Sequence, residues 1–140
     1  MGERKKGTTW MIEGVVLIGV GRNLNRIIRA CHSFGVQDIY CLNCEIGVKG
    51  NLFSATESVK LHEISSLDEM DIDTMLALEV SPSLPNIKDV SAFGICYIAI
   101  GGESTTLRKR DFKNMARIST KNKLCLTAEA ALAIALYHFC

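Results

Sequence analysis

Val15 to Val20 is a short apolar run set between glycines, and the residues after it change period at once. A run this short with no polar alternation reads as a strand buried on both faces. In Asn23 to Phe34, the apolar Ile27, Ile28, Cys31 and Phe34 recur at helical spacing; Asn23 suits the N-cap and Gly35 the C-terminal stop. Asp38 to Leu42 then reads as a second strand. A strand, a helix and a strand in such close succession constrain the chain to a parallel α/β arrangement.

Further along, Thr74 to Val80 and Gly94 to Ile100 read as two more buried strands. Their continuous apolar character predicts helices covering both faces of the sheet. Arg108 to Met115 is expected to form a short polar helix and Ala116 to Ser119 a short strand. Thr127 to Cys140 is the closing helix, with Thr127 as N-cap and Glu129 in the first turn, where a negative charge favours the helix dipole. Its body, Ala130 to Tyr137, is apolar nearly all round and needs cover on more than one side. In 140 residues there is room for one core, so a second subunit is the expected source of that cover. The domain reading is a single unit over residues 1–140, with 1–13 a short N-terminal extension.

The formal net charge is +1, which excludes attraction of polyanions by bulk charge. That near-neutrality is a cancellation. Residues 108–123 carry Arg108, Lys109, Arg110, Lys113, Arg117, Lys121 and Lys123 against Asp111, a local balance of +6. Residues 57–79 carry Glu57, Glu63, Asp68, Glu69, Asp71, Asp73 and Glu79 against Lys60, a local balance of −6. Separately, Arg22, Arg26 and Arg29 recur at i, i+4 and i+7, which lines three guanidinium groups along one side of the first helix. Solvated faces account for such charge runs as well as ligand binding does.

The six cysteines are read as reduced thiols of an intracellular protein, because the first ten residues hold no apolar signal region. Cys41-x-x-Cys44 has the spacing of half a zinc site or of a redox pair, but no second such pair exists and only three histidines are present. No metal is expected. Apolar runs are too short to span a bilayer, Lys6 stands where a myristoylation motif needs Ser or Thr, and a cytoplasmic location with no membrane partner follows as the expectation.

Several chemistries lose support. There is no Ser-His-Asp arrangement, no Gly-x-Ser-x-Gly elbow and no Gly-x-x-x-x-Gly-Lys-Ser/Thr phosphate loop. Gly19-Val20-Gly21-Arg22-Asn23-Leu24 offers two glycines of a dinucleotide fingerprint, with Leu24 in the third place. A nicotinamide-binding α/β protein is therefore a remote alternative. Aromatic residues make up only 6% of the chain, so a stacking platform for single-stranded nucleic acid is not evident.

Four segments gain meaning when read together. Asn23-Leu24-Asn25-Arg26-Ile27-Ile28-Arg29 followed by Phe34-Gly35-Val36 resembles the first motif of SpoU-type RNA ribose methyltransferases of the SPOUT class. Ala77-Leu78-Glu79 resembles the segment before the second motif of that family, and Ile98 to Glu103 the second motif itself. Ile118 and Leu126 through Tyr137 resemble the third. The ordered set covers about residues 14–138.

This resemblance implies a parallel sheet flanked by helices with a C-terminal trefoil knot, a homodimer, S-adenosylmethionine as cofactor, and RNA, tRNA first, as partner. It implies catalytic roles for Arg29, Asn23 and Glu103. Cofactor contacts fall to Glu79, Ile100, Gly101, Gly102, Ile118, Leu126 and Thr127. RNA contacts fall to Arg22, Arg26, Arg108, Lys109, Arg110, Lys121 and Lys123. The chain departs from the family where a Ser-Leu-Asn-x-Ser pattern is usual: here stand Cys125, Leu126, Thr127, Ala128 and Glu129, and Asn25 and Thr106 replace usual glycines. The expected function is ribose 2′-O-methylation of tRNA or rRNA, with a catalytically silent RNA-binding or assembly protein as the alternative.

Overall fold

A computed structural model describes residues 12–46, 59–120 and 126–140. In chain order the elements are β1 (Gly14–Ile18), α1 (Leu24–Ser33), β2 (Asp38–Leu42), β3 (Lys60–Ile64), β4 (Met75–Leu78), β5 (Tyr97–Gly101), β6 (Asn114–Ala116) and α2 (Ala128–Phe139). Single 3-10 turns at Leu67–Glu69, Ile72–Thr74 and Ile87–Asp89 join them. The six strands form one parallel sheet in the order β3-β2-β1-β5-β4-β6. Strand order reverses between β1 and β5, whose last residues Ile18 and Gly101 are in register. A crevice opens beyond the strand ends at such a reversal, and it is the ordinary ligand position in open α/β sheets.

The sheet has two unlike faces. Val15 and Leu17 of β1, Leu76 and Leu78 of β4 and Ile98 and Ile100 of β5 point to one face, where they pack with Leu24, Ile27, Ile28 and Cys31 of α1 and Leu132, Ala135, Leu136 and Phe139 of α2. The α1 residues recur at i, i+3, i+4 and i+7, so one stripe of the helix is buried and the rest is wet. Burial of each such Leu or Ile contributes about 1.5–3 kcal/mol. Burial also pushes the Cys31 thiol up to about 12, so it stays protonated and packs as a small apolar group.

The helix α1 ends as expected. Gly35 takes φ +80, its N–H bonds His32 O, and the Val36 N–H reaches back to Cys31 O at 2.9 Å. This Schellman closure satisfies the last carbonyls and needs the left-handed conformation that glycine adopts freely. At the start of α2, Thr127 Oγ1 accepts from the Ala130 N–H at 3.2 Å, as the N-cap reading requires.

Val16, Met75, Ala77 and Ala99 point to the other face, where Leu84, Leu107, Phe112 and Met115 cover them. The expectation of helices on both faces is corrected here: among the described residues both α-helices lie on one face, and loops and 3-10 turns cover the other. The polar helix expected over Arg108 to Met115 is instead a turn, closed by the Asp111 N–H on Arg108 O, followed by β6. Leu107 and Phe112 are buried against the sheet, and a helix through them would not place both there along with β6. The strand expected at Ala116 to Ser119 begins two residues earlier, at Asn114. The strand β3, which no apolar run announced, is an edge strand with Lys60 and Glu63 exposed and Leu61, His62 and Ile64 half-buried. Along α2 the outer side keeps Ile134 and Tyr137 exposed, Tyr137 by 79%.

Candidate active site

The residues read by motif as cofactor contacts, together with Asn23 and Glu103, gather at the carboxyl ends of β1, β4 and β5. A cavity of about 320 Å³ lies beyond β4 and β5, lined by Leu78, Glu79 and Val80, by Ile100 to Glu103, by Ile118 and Thr120, and by Leu126, Thr127 and Ala128. All seven residues read as cofactor contacts line it. Its size is that of a small-molecule site. Val80 is 62% exposed and Leu126 37%, so aliphatic side chains stand bare on the cavity walls. Between them run backbone amides and carbonyls of 100–103 and the first turn of α2, whose N-terminal N–H groups carry partial positive charge.

Two side chains set the shape of this cavity without needing a ligand. Glu79 Oε1 accepts from the Leu107 N–H at 2.8 Å, while its Oε2 accepts from the Val80 N–H at 2.9 Å. Glu79 thus ties the chain after β5 to the end of β4. Arg117, counted in the basic segment, is likewise committed: its Nε donates to Leu84 O at 2.9 Å and its guanidinium also meets Ser119 Oγ. With Ile87 N–H on Arg117 O and Arg117 N–H on Pro85 O, the strip carrying Ile118 is docked on the 85–87 segment.

A second cavity, of about 400 Å³, adjoins the first and shares Gly102, Glu103 and Ala128 with it. Here the walls are polar: Arg22, Asn23, Glu45, Glu103 and Ser104 line it together with Gly19, Val20 and Gly21. Asn23 does not cap α1 through its side chain. Its Nδ2 instead donates to Glu103 Oε1 at 3.3 Å, joining the first motif to the second across 80 residues. The capping role expected of Asn23 is therefore replaced by this contact with Glu103.

Gly102 separates the two cavities, and its identity has a packing cause. A Cβ there would collide with the Gly19 carbonyl and lie 3.1 Å from Val20 Cα. The Gly102 N–H bonds Ile18 O at 2.9 Å, which locks β5 against the turn after β1. Close chain approach, rather than room for a ligand, demands glycine at this point.

Arg22, Arg26 and Arg29 are exposed, but only Arg22 lines a cavity. Arg29 lies further along α1, outside both. Arg108, Lys109 and Arg110 sit on the exposed turn after Leu107, the residue held by Glu79. Lys121, Lys123 and Cys125 lie outside the described residues. The acidic and basic segments meet at the β6 edge of the sheet, where Lys113 Nζ lies 3.6 Å from Asp73 Oδ1. Among the described residues no group of His, Cys, Asp or Glu is placed to hold a metal ion, and no helix is long and apolar enough to cross a membrane.

Motif reading missed Val80, Thr105, Thr106 and Thr120 in the first cavity and Glu45 and Ser104 in the second. Ser104, Thr105 and Thr106 follow the second motif directly, and that adjacency was a usable signal. Glu45 had none, because only the pairing of β1 with β2 brings it against Gly21.

No family model matches the sequence, and no curated protein matches it. Solved structures do. An rRNA methyltransferase from Sinorhizobium meliloti superposes with a TM-score of 0.73 at 16% identity, over 92% of this chain and 55% of that one. The SpoU methyltransferase AviRb from Streptomyces viridochromogenes, in complex with AdoMet, gives 0.73 at 15% identity, over 94% of this chain and 60% of that one. A structure bearing on 2-OH methylation of C/U34 on tRNA gives 0.77 at 14% identity, over 94% of this chain and 91% of that one. This chain therefore spans little more than half of the first two and most of the third. What is shared at these identities is the fold, that of the SpoU-type methyltransferases. The path of residues 121–125, on which a trefoil knot depends, lies outside the described residues.

Proposed function

We propose that this chain is an S-adenosylmethionine-dependent RNA methyltransferase that modifies a ribose 2′-hydroxyl in tRNA or rRNA. The observation that carries the reading is the meeting of two unlike cavities at Gly102 and Glu103. Group transfer between a small donor and a large acceptor needs two adjoining sites with one shared wall. The first cavity, aliphatic with backbone polar groups, suits the cofactor, held by Glu79, Ile100, Gly101, Gly102, Ile118, Leu126 and Thr127. The bound cofactor supplies an electrophilic methyl group on a sulfonium.

This chain's own residues do the rest. Asn23 and Glu103, already hydrogen-bonded, orient the acceptor nucleotide in the second cavity. Arg22 and Arg26, with Arg108, Lys109, Arg110, Lys121 and Lys123, hold RNA phosphates by local charge, which the net balance of the whole chain conceals. Arg29 contacts the substrate phosphate and assists removal of the hydroxyl proton; because it lies outside both cavities of its own chain, it acts on the second site of a homodimer. The exposed Ile134 and Tyr137 on α2 give that homodimer an apolar contact. In this reading residues 1–140 form one knotted methyltransferase domain with 1–13 as an extension, and the protein works in the cytoplasm.

Titration calorimetry with S-adenosylmethionine, paired with transfer of labelled methyl groups to tRNA and rRNA, tests the reading. Arg29→Ala is expected to lower transfer by about 10²-fold or more, the ordinary scale for a proton-transfer group, with cofactor affinity unchanged. An unaffected rate removes Arg29 from the mechanism, and a folded chain that takes no cofactor removes the proposal. The catalytically silent alternative is favoured by one observation: the Thr127 hydroxyl, where the family has Asn, accepts the capping bond from Ala130. It requires salt-sensitive RNA binding with no methyl transfer.

A further inference from the structure

The Cys41-x-x-Cys44 segment is not used by the proposed chemistry, and its geometry is specific. Cys41 is the penultimate residue of β2 and is buried, and Leu42 ends the strand. Asn43 then takes φ +56, a left-handed conformation that Asn tolerates better than most residues. That one reversal turns Cys44 back over the strand end. Its Sγ bonds Leu17 O at 3.3 Å and lies 3.7 Å from Leu42 O. Leu17 is the register partner of Cys41 across β1 and β2, so the bond to Leu17 O sets the Cys44 Sγ beside Cys41. Cys44 is half-buried and Cys41 lies behind it, an order that suits an attacking and a resolving thiol.

The residues around Cys44 belong to the second cavity. The Glu45 N–H bonds Val20 O at 3.0 Å, and Glu45, Val20, Gly19 and Gly21 all form its wall. A disulfide requires sulfurs about 2.05 Å apart, far shorter than a thiol hydrogen bond. Closing it draws Cys44 Sγ toward Cys41 and away from the Leu17 carbonyl.

We propose that Cys41 and Cys44 are a redox-active dithiol that closes to an intrachain disulfide and so alters the wall of the second cavity. The oxidant is a low-molecular-weight disulfide. The Cys44 thiolate attacks one sulfur of it, forming a mixed disulfide and expelling one thiolate; Cys41, losing its proton, attacks Cys44 Sγ and expels the second. Two protons and two electrons leave the protein, and one disulfide is reduced to two thiols. The environment favours this order of events. The neighbouring Cys41 thiol, and after it the backbone at Val20, Leu42 and Gly19, outweighs burial and brings the Cys44 thiol down to about 7. The neighbouring Cys44, together with burial, pushes the Cys41 thiol up.

The test uses the full chain and oxidised glutathione, followed by alkylation and mass measurement. The expected product has lost two hydrogens, retains no glutathione and is restored by dithiothreitol. Fragmentation of the tryptic peptide 30–49, which also holds Cys31, is expected to place the bridge between Cys41 and Cys44. Cys41→Ser should stop at glutathione trapped on Cys44. Cys44→Ser should trap glutathione on this peptide at least about tenfold more slowly, since the buried thiol is the weaker nucleophile. In the oxidised wild type, the Glu45 amide should exchange with solvent about tenfold faster than in the reduced protein, because its partner segment has been loosened. A bridge to Cys31, glutathione retained on the wild type, or equal trapping by both variants overturns the dithiol; a formed bridge with unchanged Glu45 exchange overturns its hold on the cavity wall. If either serine variant melts early by circular dichroism, the alanine variants carry the same comparison. Each readout is thiol chemistry or amide exchange, so failure here and failure of methyl transfer are distinguishable.

Discussion

The two cavities share Gly102, Glu103 and Ala128 but are made by different means. The first is shaped by main chain: its residues are there because Glu79 clamps Leu107 and because Arg117 docks the Ile118 strip on the 85–87 segment. The second is shaped by side chains at the head of α1, where Asn23 meets Glu103. A site of the first kind tolerates changes in side chains that contribute only backbone groups. One of the second kind does not, since its polar groups are themselves what a ligand meets. Thr106 and Thr127, two of the departures from the family pattern, line the first cavity, while Asn25, another, lies on α1 close to Asn23 and Arg29, which keep it.

The comparison breaks most sharply at the shared wall. Gly102→Val forces a side chain into the Gly19 carbonyl and is expected to cost about 3 kcal/mol, the upper range of overpacking, with loss of ligand binding at both cavities; thermal melts and cofactor titration check it. Retained binding at either cavity shows that the two are less joined than their common wall suggests. Next comes Glu79→Ala, which strands two backbone N–H groups and should cost about 1–3 kcal/mol while weakening cofactor binding and sparing RNA binding. Glu79→Gln, which keeps one acceptor oxygen, should recover part of that loss. The smallest effect separates two N-terminal helix positions. Thr127→Ala should lose about 1 kcal/mol in urea unfolding, because its capping bond is real, whereas Asn23→Ala should stay within about 0.5 kcal/mol yet reduce methyl transfer. A matching stability loss at Asn23 would return that residue to an ordinary cap.

The parts legible in the sequence were those set by contacts within a few residues. The strand β2 lies where the apolar pattern put it, from Asp38 to Leu42, and α1 buries the residues its spacing marked. Gly35 stops the helix for the reason its type suggests. Segments shaped by distant partners were read less well. The 108–115 stretch was expected as a helix from its polarity, but burial of Leu107 and Phe112 against the sheet and pairing of β6 with β4 decided otherwise. The edge strand β3 carries no continuous apolar run because it is only partly covered, with Lys60 and Glu63 exposed to water.

The sequence by itself determined the strand-helix-strand opening, the glycine-bounded turns, the N-cap of α2 and the residues that carry the family motifs, all of which depend on period and on local backbone chemistry. The tertiary structure alone decided that the motifs meet at the reversal between β1 and β5, that Asn23 serves Glu103 rather than its own helix, that Glu79 and Arg117 act as ties, and that Cys44 folds back beneath the second cavity. These pairings join residues up to 80 positions apart. No local pattern encodes them, because they follow from the order in which parallel strands enter one sheet and the close approach that Gly102 permits.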